Sequence, residues 1–298
     1  MELIIDVVMD ALIDSLKILP FLFITYLLME YLEHKTQEYT SAIVQKTEYF
    51  GPLWGGLIGV FPQCGFSAAA SNLYAGRVIT LGTLIAIYLS TSDEMIPLFI
   101  SEQVPAGIMI KILIIKAVIG IIAGFVIDAV VHWHHLTHNK RLDDPVQINA
   151  LCEKEHCHCE EDDHSGFIGI VKSAFVHTIH IFAFVLVLTL ILGFAIELIG
   201  EDKLSELLKT SPVLSHLLAG IIGLIPNCAA SVIITTLYLD KMITLGTMMS
   251  GLLVGAGIGL LVLFRVNDEK KENIRIAILL FLIGTVTGAL LDVLGIAL

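Results

Sequence analysis

The chain has 298 residues, of which 56% are hydrophobic and 15% are charged, and its formal net charge is −12. A soluble domain carries about 25% charged residues, and several apolar runs here are long enough to cross the ~30 Å hydrocarbon core of a bilayer. This composition predicts an all-α polytopic membrane protein, and the acidic balance excludes nucleic acid as a partner. The N-terminal residues lack a basic region, so we do not expect a cleaved signal.

Apolar segments follow one another in the same order in both halves of the chain. The first half predicts a long helix, two short segments, a longer segment and a last helix, over about 3–33, 51–61, 63–76, 78–101 and 107–131. The second half predicts the same series over 167–199, 215–225, 227–240, 242–264 and 274–296. The sequence therefore predicts ten apolar helical segments.

The second half also repeats the residues of the first at a constant offset of 164. Residues 55–83 align with 219–247 without a gap, and the motif Pro-x-Cys-x-x-Ser at 62–67 recurs at 226–231. Unrelated hydrophobic helices share leucine and isoleucine by chance, but not such a motif, so we interpret the halves as an internal repeat. The predicted parts are membrane repeat 1 over 1–131, a linker over 132–165 and membrane repeat 2 over 166–298.

The two short segments of each repeat are separated by a proline, which breaks a helix. A segment of 11 residues covers about 16 Å, half of the hydrocarbon core. Each pair is either one broken spanning helix or a re-entrant hairpin. Hairpins leave three crossing helices per repeat and invert the second repeat. They also place eleven Lys and Arg residues on the face that contains 132–165 and four on the other, which satisfies the positive-inside rule.

We therefore predict two inverted-topology repeats in the cell (inner or plasma) membrane, with a cytosolic linker and both termini outside. The two hairpin tips would meet near the midplane and offer thiols, amides and hydroxyls to a substrate. Thiolates suit soft ions and amides suit harder ones, whereas the alternative role of a buried cysteine is packing. The candidate substrate ligands are Gln63, Cys64, Ser67, Asn72, Asn227, Cys228 and Ser231.

The polar run Ser92, Asp93 and Glu94 lies inside the apolar segment 78–101 and supplies three candidate ion ligands, and the second repeat has lost the two adjacent carboxylates. Carboxylates within a membrane segment are functional by default, as cation ligands or as carriers of a coupled proton. A polar turn near the membrane surface is the alternative interpretation. Further candidates for proton coupling are Asp10, Asp14, His177 and His180.

The linker contains seven of the eleven histidines and three of the five cysteines. This composition is typical of a flexible metal-capturing tract, although the paired C-x-x-C halves of a zinc finger are missing. A solvated acidic linker would explain its carboxylates but not its histidines and cysteines. The candidate metal ligands are His132, His134, His135, His138, Cys152, His156, Cys157, His158, Cys159 and His164.

The run over 61–99, its partner over 225–247 and the His/Cys-rich linker resemble the ten-helix heavy-metal exporters, which are labelled manganese transporters or arsenic efflux proteins. They are also distantly similar to the permeases that export trivalent organoarsenicals. The resemblance implies a ten-helix membrane fold and efflux of a metal or metalloid. Those permeases carry more cysteines in the corresponding segment, so the single Cys64 favours a divalent metal over an arsenical.

The sequence thus predicts a secondary exporter of a divalent heavy metal such as manganese, coupled to protons and without a resident cofactor. Direct ATP drive is not expected because G-x-x-x-x-G-K-[ST] is missing. The alternative transporter exports a trivalent metalloid, an organoarsenical or a small thiol-reactive organic solute. An intramembrane metalloenzyme is disfavoured because H-E-x-x-H is missing, and a membrane metal sensor would need only the linker. Both an oligomer and a monomer are compatible with the sequence.

Overall fold

The computed structural model describes residues 50–61, 64–92, 95–138, 167–199, 212–226 and 228–296, together with scattered positions between 8 and 27. Throughout these ranges the regular secondary structure is α-helix. The first repeat contains α1 (50–59), α2 (Cys64–Ala75), α3 (Leu81–Ser90), α4 (Met95–Ser101) and α5 (Ala106–His138). The second contains α6 (Phe167–Ile199), α7 (Pro212–Gly223), α8 (Cys228–Leu239), α9 (Leu245–Val254), α10 (Ile258–Val266) and α11 (Lys270–Val293).

The helix boundaries follow the sequence repeat closely. Helices α2 and α8 begin and end at positions that differ by the offset of 164, and so do α3 and α9. The prediction of a long helix over 167–199 is confirmed by α6. Helix α5 extends seven residues beyond the predicted end at 131. The four linker histidines between 132 and 138 therefore lie on a helix rather than in a flexible tract.

The sequence analysis predicted one longer helical segment over 78–101 and one over 242–264. In the structure each of them is divided into two helices, and the break falls at the same place in both repeats. Helix α9 ends before Gly255, and Gly257 has a positive φ of 55° that most residues avoid. In the first repeat hydroxyl groups bond back to the helix at the break: Ser90 Oγ donates to Ala86 O at 2.8 Å and Thr91 Oγ1 donates to Ile87 O at 2.7 Å. Such side-chain bonds compete with continued helix.

A carboxylate on each long helix, α5 or α11, accepts hydrogen bonds from the first residues of the neighbouring short helix, α3 or α9. Thr80 is the N-cap of α3, with its side chain accepting from Thr83 N at 3.1 Å. Asp128 on α5 accepts from Gly82 N and from Thr80 Oγ1, both at 2.7 Å. The second repeat makes the same contacts between α9 and α11 through Thr244, Gly246, Thr247 and Asp292. Each pair of helices is thereby fixed at one end.

Each repeat packs one of its short helices against a helix of the other repeat. Helix α2 of the first repeat lies along α10 of the second, and α8 of the second lies against α4 of the first. Gly259 on α10 makes the first of these contacts close: a Cβ built there would lie 2.7 Å from Ser67 Cβ and 2.8 Å from Ser67 O. Helices α3 and α9 also touch each other. The helix breaks of both repeats therefore lie inside the protein.

Four candidate membrane spans are found by length and composition among the described residues. They are Leu81–Ser101, Ala106–Trp133, Leu245–Val266 and Lys270–Val293. The spans that contain the broken helices are mostly buried within the protein, whereas α5 and α11 expose apolar side chains such as Ile122 and Val286. This is the arrangement of a multi-pass membrane protein whose broken helices are central. The inverted orientation of the repeats and the hairpin topology stay predictions.

Candidate ion site at the helix breaks

The break between α3 and α4 is polar and buried. Ser90, Thr91 and Ser92 are 0%, 5% and 3% exposed, respectively. Ser92, a predicted ligand, therefore lies at the break, and its Oγ donates to Ser90 O at 3.2 Å. Asp93 and Glu94 lie outside the described residues and come directly after Ser92 in the sequence. The break thus offers hydroxyl and carbonyl oxygens immediately before the two predicted carboxylates.

Lys116, which the sequence analysis did not select, reaches this break from the middle of α5. Its side chain is fully buried, and its Nζ donates to Thr91 O and, at 2.9 Å, to Leu252 O. Thr91 belongs to the first repeat and Leu252 to the second, so the ammonium joins the two repeats. A sequence signal was available, because Lys116 is a charged residue deep within an apolar span whose counterpart in the second repeat is Leu280.

The carbonyls that face Lys116 belong to the carboxyl ends of α3 and α9. The last four carbonyls of an α-helix have no intrahelical partner, and the helix dipole makes this end partly negative. Leu252 O follows this rule, since Ala256 N donates to Val254 O at 2.8 Å instead of to Leu252. Two negative helix ends therefore converge on one buried position, an arrangement that stabilises a cation.

A second buried network joins α2 to α3 and α10. Ser71 Oγ lies 2.7 Å from each of three oxygens: Ser67 O, Tyr88 Oη and Gly259 O. A hydroxyl has one proton to donate, so Ser71 donates to one carbonyl at a time while accepting from Tyr88. Ser67, a predicted ligand, is fully buried at this contact between the repeats.

Asn72, another predicted ligand, uses its amide within the protein. Its Oδ1 accepts from Tyr26 Oη at 3.0 Å, and its Nδ2 donates to Ala68 O at 3.2 Å. The side chain is 1% exposed. Asn72 therefore connects the N-terminal segment to α2.

The duplicated cysteines occupy equivalent positions at the starts of two helices. Cys64 begins α2 and Cys228 begins α8, although the side chains of both lie outside the described set. Gln63 and Asn227 are also outside it. Ser231 is half-buried one turn into α8, where its carbonyl accepts from Thr235 Oγ1 at 2.7 Å.

Two of the remaining predicted residues, His132 and His180, have described side chains, and neither is buried with the helix breaks. His180 is exposed on α6, and His132 is exposed on α5. Within the described ranges, no three His, Cys, Asp or Glu side chains form a group that could hold a metal ion. The other coupling and linker residues lie outside the described side chains: Asp10, Asp14, His177, His134, His135, His138, Cys152, His156, Cys157, His158, Cys159 and His164.

A buried histidine that sequence reasoning missed contacts α9 and α11 in the second repeat. His216 on α7 is buried, with Nδ1 3.1 Å from Ser250 Oγ and Nε2 3.3 Å from Asp292 Oδ2. The corresponding position in the first repeat is Pro52, so the imidazole beside Asp292 has no equivalent at that position.

A family model described as "Putative, 10TM heavy-metal exporter" matches residues 1–198. The chain belongs to this family. The match confirms the family predicted from the motifs, and it identifies a multi-pass membrane protein of a heavy-metal exporter family. No curated protein and no solved structure is significantly similar to the chain.

Proposed function

We propose that the chain exports a divalent heavy-metal cation such as manganese from the cytosol in exchange for protons. The observation that carries this proposal is the convergence of the carboxyl ends of α3 and α9 on one buried cationic position. A position that stabilises an ammonium with main-chain oxygens also suits a metal cation. Irregular backbone at membrane depth is tolerated where it is buried in protein or lines a cavity.

The chemistry of the break favours a hard cation. Carbonyl and hydroxyl oxygens from 90–92 precede the carboxylates of Asp93 and Glu94, and oxygen ligands of this kind suit magnesium, calcium and manganese. We propose that one carboxylate of the pair holds a proton in the unloaded protein. It must lose that proton to bind a metal, so binding releases it. This linkage is what an antiporter requires. The second repeat lacks the acid pair, so we assign the exchange chemistry to the first repeat alone.

We also propose that the linker over 132–165 captures metal on the cytosolic side of the cell membrane. Its histidines and cysteines provide both soft and intermediate ligands. Deletion of 150–164 should then lower export at limiting metal and leave the rate at saturating metal largely unchanged. Complete loss of export at saturating metal, with a normally folded variant, would contradict this accessory role.

The second candidate function is export of a trivalent metalloid or a thiol-reactive organic solute. It is supported by the equivalent placement of Cys64 and Cys228 at the starts of α2 and α8. Thiolates are the preferred ligands of soft ions. In this case the two cysteines carry the substrate and the acid pair is not required for binding.

Purified protein in proteoliposomes distinguishes the two functions. Uptake of Mn²⁺, Zn²⁺, Cd²⁺ and arsenite is measured together with the internal pH, for the parent and for an Asp93→Asn/Glu94→Gln double variant. We expect Mn²⁺ uptake with proton counterflow that the double variant loses. Glu102→Gln, at an exposed carboxylate after α4, is the matched control and should retain both.

Three other results would change the proposal. Arsenite uptake that needs Cys64 and Cys228 but not the acid pair would favour the metalloid exporter. Transport of none of these substrates by the folded parent would exclude both functions. Normal proton-coupled Mn²⁺ uptake by the double variant would show that the acid pair is only a polar turn.

A further inference from the structure

A fully buried lysine in the centre of a membrane protein requires an explanation beyond packing. Ionisable side chains within spans are energetically costly and are functional by default. Lys116 lies on α5 within the span Ala106–Trp133, ten residues after the start of that span. Its counterpart Leu280 is also fully buried, which shows that the fold accepts an apolar residue at the equivalent position. The charge is therefore specific to the repeat that also carries the acid pair.

The environment of Lys116 is that of a bound cation. Its ammonium donates to Thr91 O and Leu252 O, which belong to the carboxyl ends of two different half-helices. Such main-chain oxygens are intrinsic ligands for cations in membrane transporters with broken helices. A metal ion at this position would use the same two carbonyl oxygens.

We propose that Lys116 is a tethered cation, whose ammonium occupies the ion site of the unloaded protein and is displaced by the transported divalent cation. This inference rests on the proposed function and adds the group that competes with the substrate. An ammonium and a divalent cation within a few ångströms of each other repel strongly at low dielectric. The two cations therefore use the position alternately.

Displacement of the ammonium has a mechanical consequence, because the contact joins the two repeats. Thr91 lies in the first repeat and Leu252 in the second, and both carbonyls are bridged by one side chain. When a metal replaces Lys116, the hydrogen bonds that connect α5 to both breaks are lost. Occupancy of the site is thus linked to the contact between the repeats, as alternating access requires.

The test is equilibrium Mn²⁺ binding to the full-length protein in lipid nanodiscs, measured by isothermal titration calorimetry at one fixed pH. Lys116→Gln removes the charge and keeps a hydrogen-bond donor, so affinity should rise at least ~10-fold. Lys116→Arg keeps a permanent charge in a larger side chain, so affinity should fall at least ~10-fold. Lys111→Gln, at an exposed lysine of the same helix, should stay within about twofold.

Parental affinity in both Lys116 variants would overturn the inference, and so would weaker binding by Lys116→Gln. If Lys116→Gln is not monodisperse, the Arg variant decides, and parental affinity in that variant overturns the inference. These results leave the proposed function intact, provided that the parent binds Mn²⁺. A folded parent that binds no divalent cation would instead remove the proposed function and this inference with it.

Discussion

A single methyl group at Gly259 tests whether the crossing of α2 and α10 positions the ion site. The Cβ of Gly259→Ala would lie 2.7 Å from Ser67 Cβ and 2.8 Å from the carbonyl carbon and oxygen of Ser67. Two of these three atoms are main chain and cannot rotate away. The added methyl can be accommodated only if the two helices move apart.

The size of the effect follows from these distances. Ordinary contacts of a Cβ begin near 3.4 Å, whereas the added Cβ would lie 2.7–2.8 Å from the Ser67 atoms, so the helices must separate by about 0.6–0.7 Å. Overpacking of this kind costs ~1–3 kcal/mol. The 2.7 Å contact between Ser71 Oγ and Gly259 O is lengthened as well, which adds about 1 kcal/mol. We expect the free energy of unfolding to fall by roughly 2–4 kcal/mol in total.

Denaturant unfolding in detergent micelles measures this change, and metal uptake into proteoliposomes measures its effect on transport. Gly107→Ala is the matched control, because a Cβ at this first-turn position of α5 meets nothing within 4 Å. Alanine is favoured over glycine in a helix by up to ~1 kcal/mol, so the control should be as stable as the parent or slightly more stable. Transport should fall only in Gly259→Ala.

Parental stability and transport in Gly259→Ala would refute this reasoning. A change below about 0.5 kcal/mol, the usual range for harmless surface substitutions, would mean that the crossing is loose enough to absorb a methyl group. The contact between the repeats would then not position the break that follows α9. A destabilised variant with parental transport would show that this crossing stabilises the fold but does not position the ion site.

Three further predictions concern residues from both repeats. The Cys64→Ala/Cys228→Ala double variant should fold, since a single substitution typically costs ~0.5–3 kcal/mol, and parental uptake would leave packing as the role of both cysteines. Tyr88→Phe removes the hydroxyl 2.7 Å from Ser71 Oγ and should lower the unfolding free energy by about 1 kcal/mol, measured by denaturant titration. Single cysteines at Arg77 and Lys241, two turn residues that share a φ of 58°, should react with a membrane-impermeant maleimide from opposite sides of the membrane, and labelling from one side would contradict the inverted repeat.

The sequence alone predicted the membrane class, the family and the starts of most helices. These features are local, because hydrophobic runs set the helices and proline or glycine sets their ends. The starts of α2 and α8 at Cys64 and Cys228 were predicted within one residue for this reason. The internal repeat extended the same local reading to the second half of the chain. Ser92, Ser67 and Asn72 were selected as polar residues in apolar segments, and all three are buried.

The breaks within 78–101 and 242–264 and the roles of Lys116 and His216 were decided by tertiary structure. Hydropathy averages over a whole segment, so a few nonhelical residues such as 91 and 92 do not interrupt an apolar run. A buried charge is defined by its partners, and those of Lys116 include carbonyls 25 and 136 positions away in the chain. Backbone oxygens are present at every residue, so no sequence pattern marks which of them are left unpaired. Only the packing of two helix ends around one side chain selects Thr91 and Leu252 as the ligands of that charge.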